Sequence, residues 1–267
     1  MKERIIAGLV GLAIILPCIL WGGALGIAIV VAIALLIGLD EYAGMAMPDH
    51  KGRARAVLFP AGLLVHSVLV WAPEFALPAI AVAVITALVV PMFAEADVGK
   101  ATEQATRLGF GLVYAPLLMA PLVWLRREPD GLALVFLILA ITWLGDTGAY
   151  FAGRFAGKTP LFPRVSPKKT REGVLGGAAL AVVGACVVKL VGGLSLSWPE
   201  LVVVSVVLDL AGVVGDLAES LLKRAWGVKD SGWIMPGHGG ILDRIDSLLF
   251  SAPLLWGWLL LRHTVLA

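Results

Sequence analysis

Long apolar runs recur along this chain, and they constrain its fold more than any other feature. Each run is about 17–25 residues long, the length that a helix needs to cross the hydrocarbon core of a bilayer. Hydrophobic residues make up 60% of the 267 residues, charged residues make up 15%, and the mean hydropathy is +0.94. Soluble domains are less apolar and carry about 25% charged residues, which excludes a soluble globule and a disordered chain.

We therefore predict an all-α, polytopic helical membrane protein with about nine transmembrane helices. Their approximate limits are 5–21, 24–39, 54–72, 77–94, 108–125, 131–152, 174–192, 199–222 and 247–263. The first run follows Lys2 and Arg4, as the apolar core of a signal peptide would. Because many further spans follow it, we interpret it as a retained helix.

The basic residues predict the orientation. With the N-terminus in the cytoplasm, 17 of the 21 lysines and arginines lie in cytoplasmic segments. Such segments are enriched in basic residues in membrane proteins, so the pattern indicates that the N-terminus is inside and the C-terminus outside. Arg126 and Arg127 are a local exception. The net charge of +2 is too small to indicate a nucleic-acid partner.

Polar chemistry concentrates in the second half of the chain. We interpret residues 1–130 as N-terminal scaffold helices and residues 131–267 as a catalytic region. Two cytoplasmic loops of that region, 153–173 and 223–246, are rich in glycine, proline and charged residues. We expect the functional residues after position 140.

Three carboxylates fall inside apolar runs, namely Asp146, Asp209 and Asp216. A charge at membrane depth costs roughly 2.5–3.5 kcal/mol on insertion scales, so it usually has a partner or a function. The seven-residue spacing of Asp209 and Asp216 places them on one helix face. We expect Asp146 and Asp216 to meet Asp243 and Asp246 at one depth, where hard oxygen ligands suit Mg²⁺ beside phosphates. The alternative is that each acid pairs with a nearby lysine or arginine.

The basic loops combine cations with small residues. In the first loop, Ser166 and Thr170 flank Lys168 and Lys169, and such a mixture of hydroxyl, amide and ammonium donors is suited to a polyphosphate. The alternative is contact with anionic lipid heads. The second loop contains Pro-Gly-His-Gly-Gly, which must turn sharply because glycine tolerates positive φ. His238 is interpreted as a residue that shapes this turn.

The segment from Ser220 to Asp246 resembles the signature of the phosphatidate cytidylyltransferase (CDP-diacylglycerol synthase) family. Twelve positions match at fixed spacing: Ser220, Lys223, Arg224, Lys229, Asp230, Pro236, His238, Gly239, Gly240, Asp243, Arg244 and Asp246. Two further blocks are similar to the family, Asp146–Tyr150 with Gly153 and Arg154, and Ser166–Thr170 with Glu172 and Gly173. Two positions depart from the family. Its members often carry tryptophan where this chain has Arg171, and leucine, isoleucine or phenylalanine where it has Met235.

The resemblance implies transfer of CMP from CTP to phosphatidate, giving CDP-diacylglycerol and pyrophosphate in phospholipid biosynthesis. It implies a site that faces the cytoplasm in the bacterial inner membrane, with Mg²⁺ as cofactor and a second metal or monovalent cation left open. CTP, phosphatidate and membrane lipids are the implied partners, and a homodimer is left open.

The resemblance also implies roles for individual residues. The implied catalytic residues are Asp216, Lys223, Arg224, Lys229, Asp243, Arg244 and Asp246, of which Asp216, Asp243 and Asp246 are metal ligands. The implied substrate-binding residues are Asp146, Ser166, Lys168, Lys169, Thr170, Ser220, His238, Gly239 and Gly240. Asp146 is a further candidate metal ligand.

Other functions remain as alternatives. A secondary transporter also has intramembrane carboxylates and helices broken by glycine. Its polar residues lie near the midplane of the membrane, however, whereas those of this chain are predicted to concentrate on one side. A cytidylyltransferase that acts on another lipid phosphate is a closer alternative. A CDP-alcohol phosphotransferase needs acids at different spacing, and the dense charged loop argues against a scaffold protein.

Overall fold

A computed structural model describes residues 11, 13, 15–234 and 239–265. In these residues eight helices are long and apolar enough to cross a membrane. They are α1 (Gly23–Ala46), α2 (Lys51–Trp71), α3 (Ala76–Ala94), α4 (Val98–Arg127), α5 (Gly131–Ala156), α6 (Arg171–Gly192), α7 (Trp198–Ala225) and α8 (Leu242–Val265). The first predicted span, 5–21, lies partly outside the described residues, and its residues 15–21 are helical. The prediction of a polytopic helical membrane protein is confirmed.

The connections differ from the predicted loops in two ways. A two-stranded antiparallel hairpin, β1 (Pro160–Phe162) and β2 (Ser166–Thr170), follows α5 and leads directly into α6. The second connection is shorter than 223–246, because α7 continues to Ala225 and α8 begins at Leu242. Lysine and arginine are good helix formers, so Lys223 and Arg224 extend the helix beyond its apolar run.

Local sequence signals explain where two of the helices begin. Ser197 and Glu200 form a capping box at the start of α7, each side chain accepting a hydrogen bond from the other residue's backbone N–H. Thr170 caps α6 by accepting a hydrogen bond from the backbone N–H of Gly173. The end of β2 is therefore tied to the first turn of α6.

The described residues form two compact units. The first contains the residues through Val123 together with Asp230–Asp243, and the second contains Trp124–Lys229 and Arg244 onwards. The core of the first unit includes the fully buried Leu35, Leu39, Leu58 and Leu108. The predicted domain boundary at residue 130 stays a prediction.

In the second unit, α5 and α6 pack closely along a seam of small residues. A Cβ atom added to Gly148 would lie closer than 3.0 Å to the backbone carbonyl oxygen of Gly176. A Cβ atom added to Gly176 would collide in the same way with the side chain of Ala152. Glycine at these positions lets the two backbones approach as closely as they do.

Candidate active site

A cavity of about 240 Å³ lies in the second unit, between the β-hairpin and the helices. Residues from α5, β2, α6, α7 and α8 line it. Five of the residues predicted from the sequence are brought together there: Asp146, Lys168, Lys169, Thr170 and Asp216. The cavity therefore combines two lysines with two carboxylates at one place.

The two lysines reach the cavity from β2. The amine of Lys169 lies 2.7 Å from Oδ2 of Asp216 in α7. The side chains of this ion pair are 25% and 30% exposed, so solvent reaches both partners. Glu172 stabilises the start of the hairpin segment by accepting hydrogen bonds of 3.1 Å from the backbone N–H groups of Lys158 and Thr159. These contacts fix the position from which Lys169 extends.

Asp209 contributes a third carboxylate to the same cavity. It is 6% exposed, and within the described part of the chain its Oδ2 has no hydrogen-bond partner. Gly145 and Gly177 make room for it, since a Cβ atom on Gly145 would collide with Oδ1 of Asp209. Asp209 and Asp216 both line the cavity from α7, as their seven-residue spacing predicts. A buried carboxylate oxygen without a hydrogen bond is costly, so this oxygen is available to a ligand or cation in the cavity.

The polar residues at the end of α7 are largely engaged with one another. The hydroxyl of Ser220 donates to Oδ1 of Asp216 at 3.2 Å. The amine of Lys223 lies 3.2 Å from Oε1 of Glu219, and both side chains are buried. Arg224 donates to the backbone carbonyl of Val228 at 3.2 Å. Lys223 thus neutralises a buried glutamate in this structure.

Asp246 and Ser247 lie near the start of α8. Asp246 is 9% exposed, and its Oδ1 accepts a hydrogen bond of 2.6 Å from the backbone N–H of Ser247. The hydroxyl of Ser247 donates to the backbone carbonyl of Gly212 in α7, and Ser247 also lines the cavity. Lys229 and Arg244 are exposed. Ser166 begins β2 and pairs with Phe162 in the hairpin.

Asp243 and the glycines of the signature belong to the first unit. Oδ2 of Asp243 accepts hydrogen bonds from the backbone N–H of Ser231, from its hydroxyl and from the backbone N–H of Gly240, at 2.8–2.9 Å. Gly239 has a φ of +80°, which a residue with a side chain rarely adopts. His238 lies outside the described residues. The assignment of Asp243 as a metal ligand stays a prediction.

The donor set of the cavity suits Mg²⁺ bound together with phosphates. In the described ranges no three histidine, cysteine or acidic side chains converge as a ready-made metal cage. Mg²⁺ usually binds to one or two carboxylates and completes its shell with water and substrate phosphates, so a full protein cage is not needed. Asp146 and Asp216 supply such carboxylates, and Lys169 already places a positive charge at Asp216. The residues present therefore fit this metal.

Sequence analysis missed one buried polar residue and left another without a role. Asp209 was recognised as an intramembrane acid but was not assigned to the site. Glu41 was missed altogether, although it is 6% exposed and accepts hydrogen bonds from residues beside the signature glycines. The signal was a glutamate at the end of an apolar run, and it shows that the first half of the chain does contain buried polar chemistry.

Comparison with known proteins shows which sequences this chain resembles. The model of the cytidylyltransferase family matches residues 2–261. A phosphatidate cytidylyltransferase from Staphylococcus epidermidis is 35% identical over 275 residues, covering 96% of this chain and 97% of the relative. One from Staphylococcus aureus is 33% identical over 270 residues, with the same coverage. One from Bacillus subtilis is 41% identical over 172 residues, covering 64% of this chain and 61% of the relative.

Proposed function

Because the chain belongs to the cytidylyltransferase family, we propose that it transfers CMP from CTP to phosphatidate, giving CDP-diacylglycerol and pyrophosphate. Relatives that match nearly the whole chain carry the name of this activity. The observation that carries the proposal is the cavity in which Lys168 and Lys169 meet Asp146 and Asp216. The described residues contain eight helices long enough to cross a membrane, which suits an enzyme whose substrate is a lipid phosphate.

The proposed reaction needs positioning and charge neutralisation more than a strong base. An oxygen of the phosphatidate phosphate is already anionic and attacks the α-phosphorus of CTP. The new phosphorus–oxygen bond forms as the bond to the β-phosphate oxygen breaks, and pyrophosphate leaves with the electron pair. Lys168 and Lys169 would bind the phosphates and offset the charge that develops in the transition state.

Mg²⁺ is the cofactor we propose, held by Asp216 with Asp146 as a second carboxylate. When bound, it would neutralise charge on the α-phosphate and on the pyrophosphate leaving group. The hydroxyl of Ser220 donates to Asp216 and so orients that carboxylate. Arg224, Lys229 and Arg244 carry exposed positive charge, which suits attraction of CTP from water.

A direct assay tests the proposed reaction. Purified protein in detergent is incubated with Mg²⁺, labelled CTP and phosphatidate, and both CDP-diacylglycerol and pyrophosphate are measured. Equal amounts of both products are expected. Release of no pyrophosphate would exclude the transfer, and faster transfer to a different lipid phosphate would replace phosphatidate as the acceptor.

The location of the site is proposed from the basic residues and from the bacterial relatives. We infer that the hairpin faces the cytoplasm from the inner membrane. Phe162 is 45% exposed, so a Phe162→Cys variant with Cys18 and Cys186 replaced by serine can be labelled in cells. An impermeant thiol reagent should label it in inverted inner-membrane vesicles and not in intact spheroplasts.

The homodimer left open by the sequence is tested by light scattering on the purified protein.

A further inference from the structure

Glu41 is a buried carboxylate that binds the chain segment next to the signature glycines. It lies in α1 and is 6% exposed. Its Oε1 accepts a hydrogen bond of 2.9 Å from the backbone N–H of Ile241, and its Oε2 accepts one of 2.9 Å from the backbone N–H of Leu242. The hydroxyl of Ser231 donates to the same Oε2 at 3.2 Å. About 200 residues of chain separate the donors from the acceptor.

These hydrogen bonds satisfy both the backbone N–H groups at the start of α8 and the buried carboxylate of Glu41. Leu242 is the first residue of α8, so its N–H and that of Ile241 have no acceptor within the helix. A carboxylate at a helix N-terminus satisfies such donors and interacts favourably with the helix dipole. The three donors in turn offset the cost of burying the charge of Glu41.

Ser231 connects Glu41 to Asp243. Its hydroxyl lies 3.2 Å from Oε2 of Glu41 and 2.9 Å from Oδ2 of Asp243. The backbone N–H of Gly240 also donates to Asp243. Glu41, Ser231 and Asp243 therefore form one hydrogen-bonded cluster, which we call the carboxylate latch. It accepts hydrogen bonds from the backbone N–H groups of Ser231, Gly240, Ile241 and Leu242.

Two glycines leave the space that Glu41 occupies. A Cβ atom on Gly232 would lie 2.5 Å from Oε1 of Glu41 and 2.8 Å from its Cδ and Cγ. A Cβ atom on Gly240 would collide with Oε2 of Glu41 and with the hydroxyl of Ser231. Position 240 therefore requires glycine because the side chains of Glu41 and Ser231 approach its backbone, whatever the turn itself requires.

We propose that Glu41 is a positioning residue of the transfer reaction, and that the carboxylate latch fixes the backbone at residues 239–243, from which Gly239, Gly240 and Asp243 act. This inference rests on the proposed function, because the signature residues have a substrate only if the transfer takes place. Glu41 is assigned no contact with the substrate. It acts through the backbone of Ile241 and Leu242.

The first test replaces Glu41 while retaining its shape. In Glu41→Gln, one backbone N–H must face the new NH₂ group, since Ile241 and Leu242 donate to different oxygens. We expect the KM for CTP to rise about tenfold, which is the effect of losing one hydrogen bond to a charged group. Partial unfolding alone would lower the apparent kcat and leave KM unchanged. The matched control is Asp40→Asn, which removes a neighbouring carboxylate paired with Lys51 and Arg55 and should leave KM unchanged.

Hydrogen exchange tests the latch without using activity. Amide exchange in the peptide that covers residues 239–245 should become faster in Glu41→Gln, while peptides of the hairpin 160–170 keep the wild-type rate. Unchanged exchange at residues 239–245 would overturn the latch. Wild-type protein that forms no product would instead overturn the proposed function, so the two failures are distinguishable.

A double-mutant cycle provides a second test, which can be interpreted even if one variant is less stable than the wild type. Gly232→Ala should raise the KM for CTP in the wild-type background, because the added methyl group collides with Glu41. The same change in a Glu41→Ala background should have little further effect, since the obstructing side chain is gone. Gly52→Ala is the matched control, as a Cβ atom there meets nothing within 4 Å. Additive effects of Gly232→Ala and Glu41→Ala would contradict the inference.

Discussion

The amine of Lys169 and the carboxylate of Asp216 form an ion pair of 2.7 Å across the lysine-lined cavity. The lysine comes from the hairpin and the acid comes from α7, so a single contact joins the two parts of the site that the sequence predicts separately. A ligand with both a phosphate and a divalent cation can replace this pair, since the phosphate suits the lysine and the cation suits the acid.

Replacing Lys169 should impair catalysis much more than stability. In Lys169→Met, we expect kcat/KM for CTP to fall at least about tenfold, the loss of one charge-assisted hydrogen bond to phosphate. The free energy of unfolding should change by less than about 1 kcal/mol, because the ion pair is partly exposed. Steady-state kinetics and thermal unfolding in detergent measure the two quantities.

The control for Lys169 is a similar ion pair elsewhere. Lys51 lies 3.0 Å from Asp40, and their side chains are 37% and 29% exposed. Lys51→Met should therefore change stability by a similar amount and leave kcat/KM unchanged. Equal losses of activity in the two variants would show that charge alone, and not the cavity, explains the effect.

Gly145 should be intolerant of alanine because of Asp209. The added methyl group would collide with Oδ1 of Asp209, at a cost of about 1–3 kcal/mol in the free energy of unfolding. Asp209→Ala should remove most of that cost, so the double variant Gly145→Ala/Asp209→Ala should be more stable than the two single effects predict. Thermal unfolding of the four proteins in one detergent measures the coupling, and additive effects would contradict the contact.

The same glycine-to-alanine change should have opposite effects at two helical positions. Gly148→Ala places a methyl group against the backbone of Gly176 and should destabilise the protein by about 1–3 kcal/mol. Gly257→Ala meets nothing within 4 Å and should stabilise α8 by up to about 1 kcal/mol, because alanine is the better helix former. A shift of the unfolding temperature in the same direction for both would contradict the close packing of α5 and α6.

Glu172 should affect substrate binding through the hairpin segment. Glu172→Ala removes the acceptor of the backbone N–H groups of Lys158 and Thr159, which loosens the chain leading to Lys168 and Lys169. We expect the KM for CTP to rise about tenfold. Glu103→Ala, which removes an exposed carboxylate paired with Arg107, is the control and should leave KM unchanged. An unchanged KM in Glu172→Ala would show that the hairpin keeps its position without this side chain.

The sequence predicts the helices well, because each must be long and apolar enough to cross a bilayer. It predicts their ends less well, and one error concealed a polar residue. The predicted second span stops at residue 39, whereas α1 continues to Ala46 and includes Glu41. A prediction from hydropathy ends a span at the first charged residues. The helix itself continues for as long as its backbone hydrogen bonds do.

The sequence also did not predict the β-hairpin or the ion pair between Lys223 and Glu219. The short strand Ser166–Thr170 is polar and contains a proline, so it lacks the apolar alternation that indicates a strand. The signature suggests that Lys223 contacts a phosphate, but only tertiary packing shows that Glu219 is buried beside it. Asp146, Lys168 and Lys169 lie in motif blocks that resemble one family, and Asp216 was expected to meet Asp146 because both are acids at one depth in apolar runs, so their place in one cavity could be anticipated.

The hairpin that carries Lys168 and Lys169 has consequences for turnover. An isolated two-stranded hairpin is only marginally stable, and here its ends are tied by the side chains of Thr170 and Glu172. Small openings of such an element require no helix to unwind. If Lys168 and Lys169 bind the phosphates as proposed, the site can release a highly charged leaving group while the helical frame stays intact. The rate of product release should then depend on the flexibility of eleven residues, Pro160–Thr170.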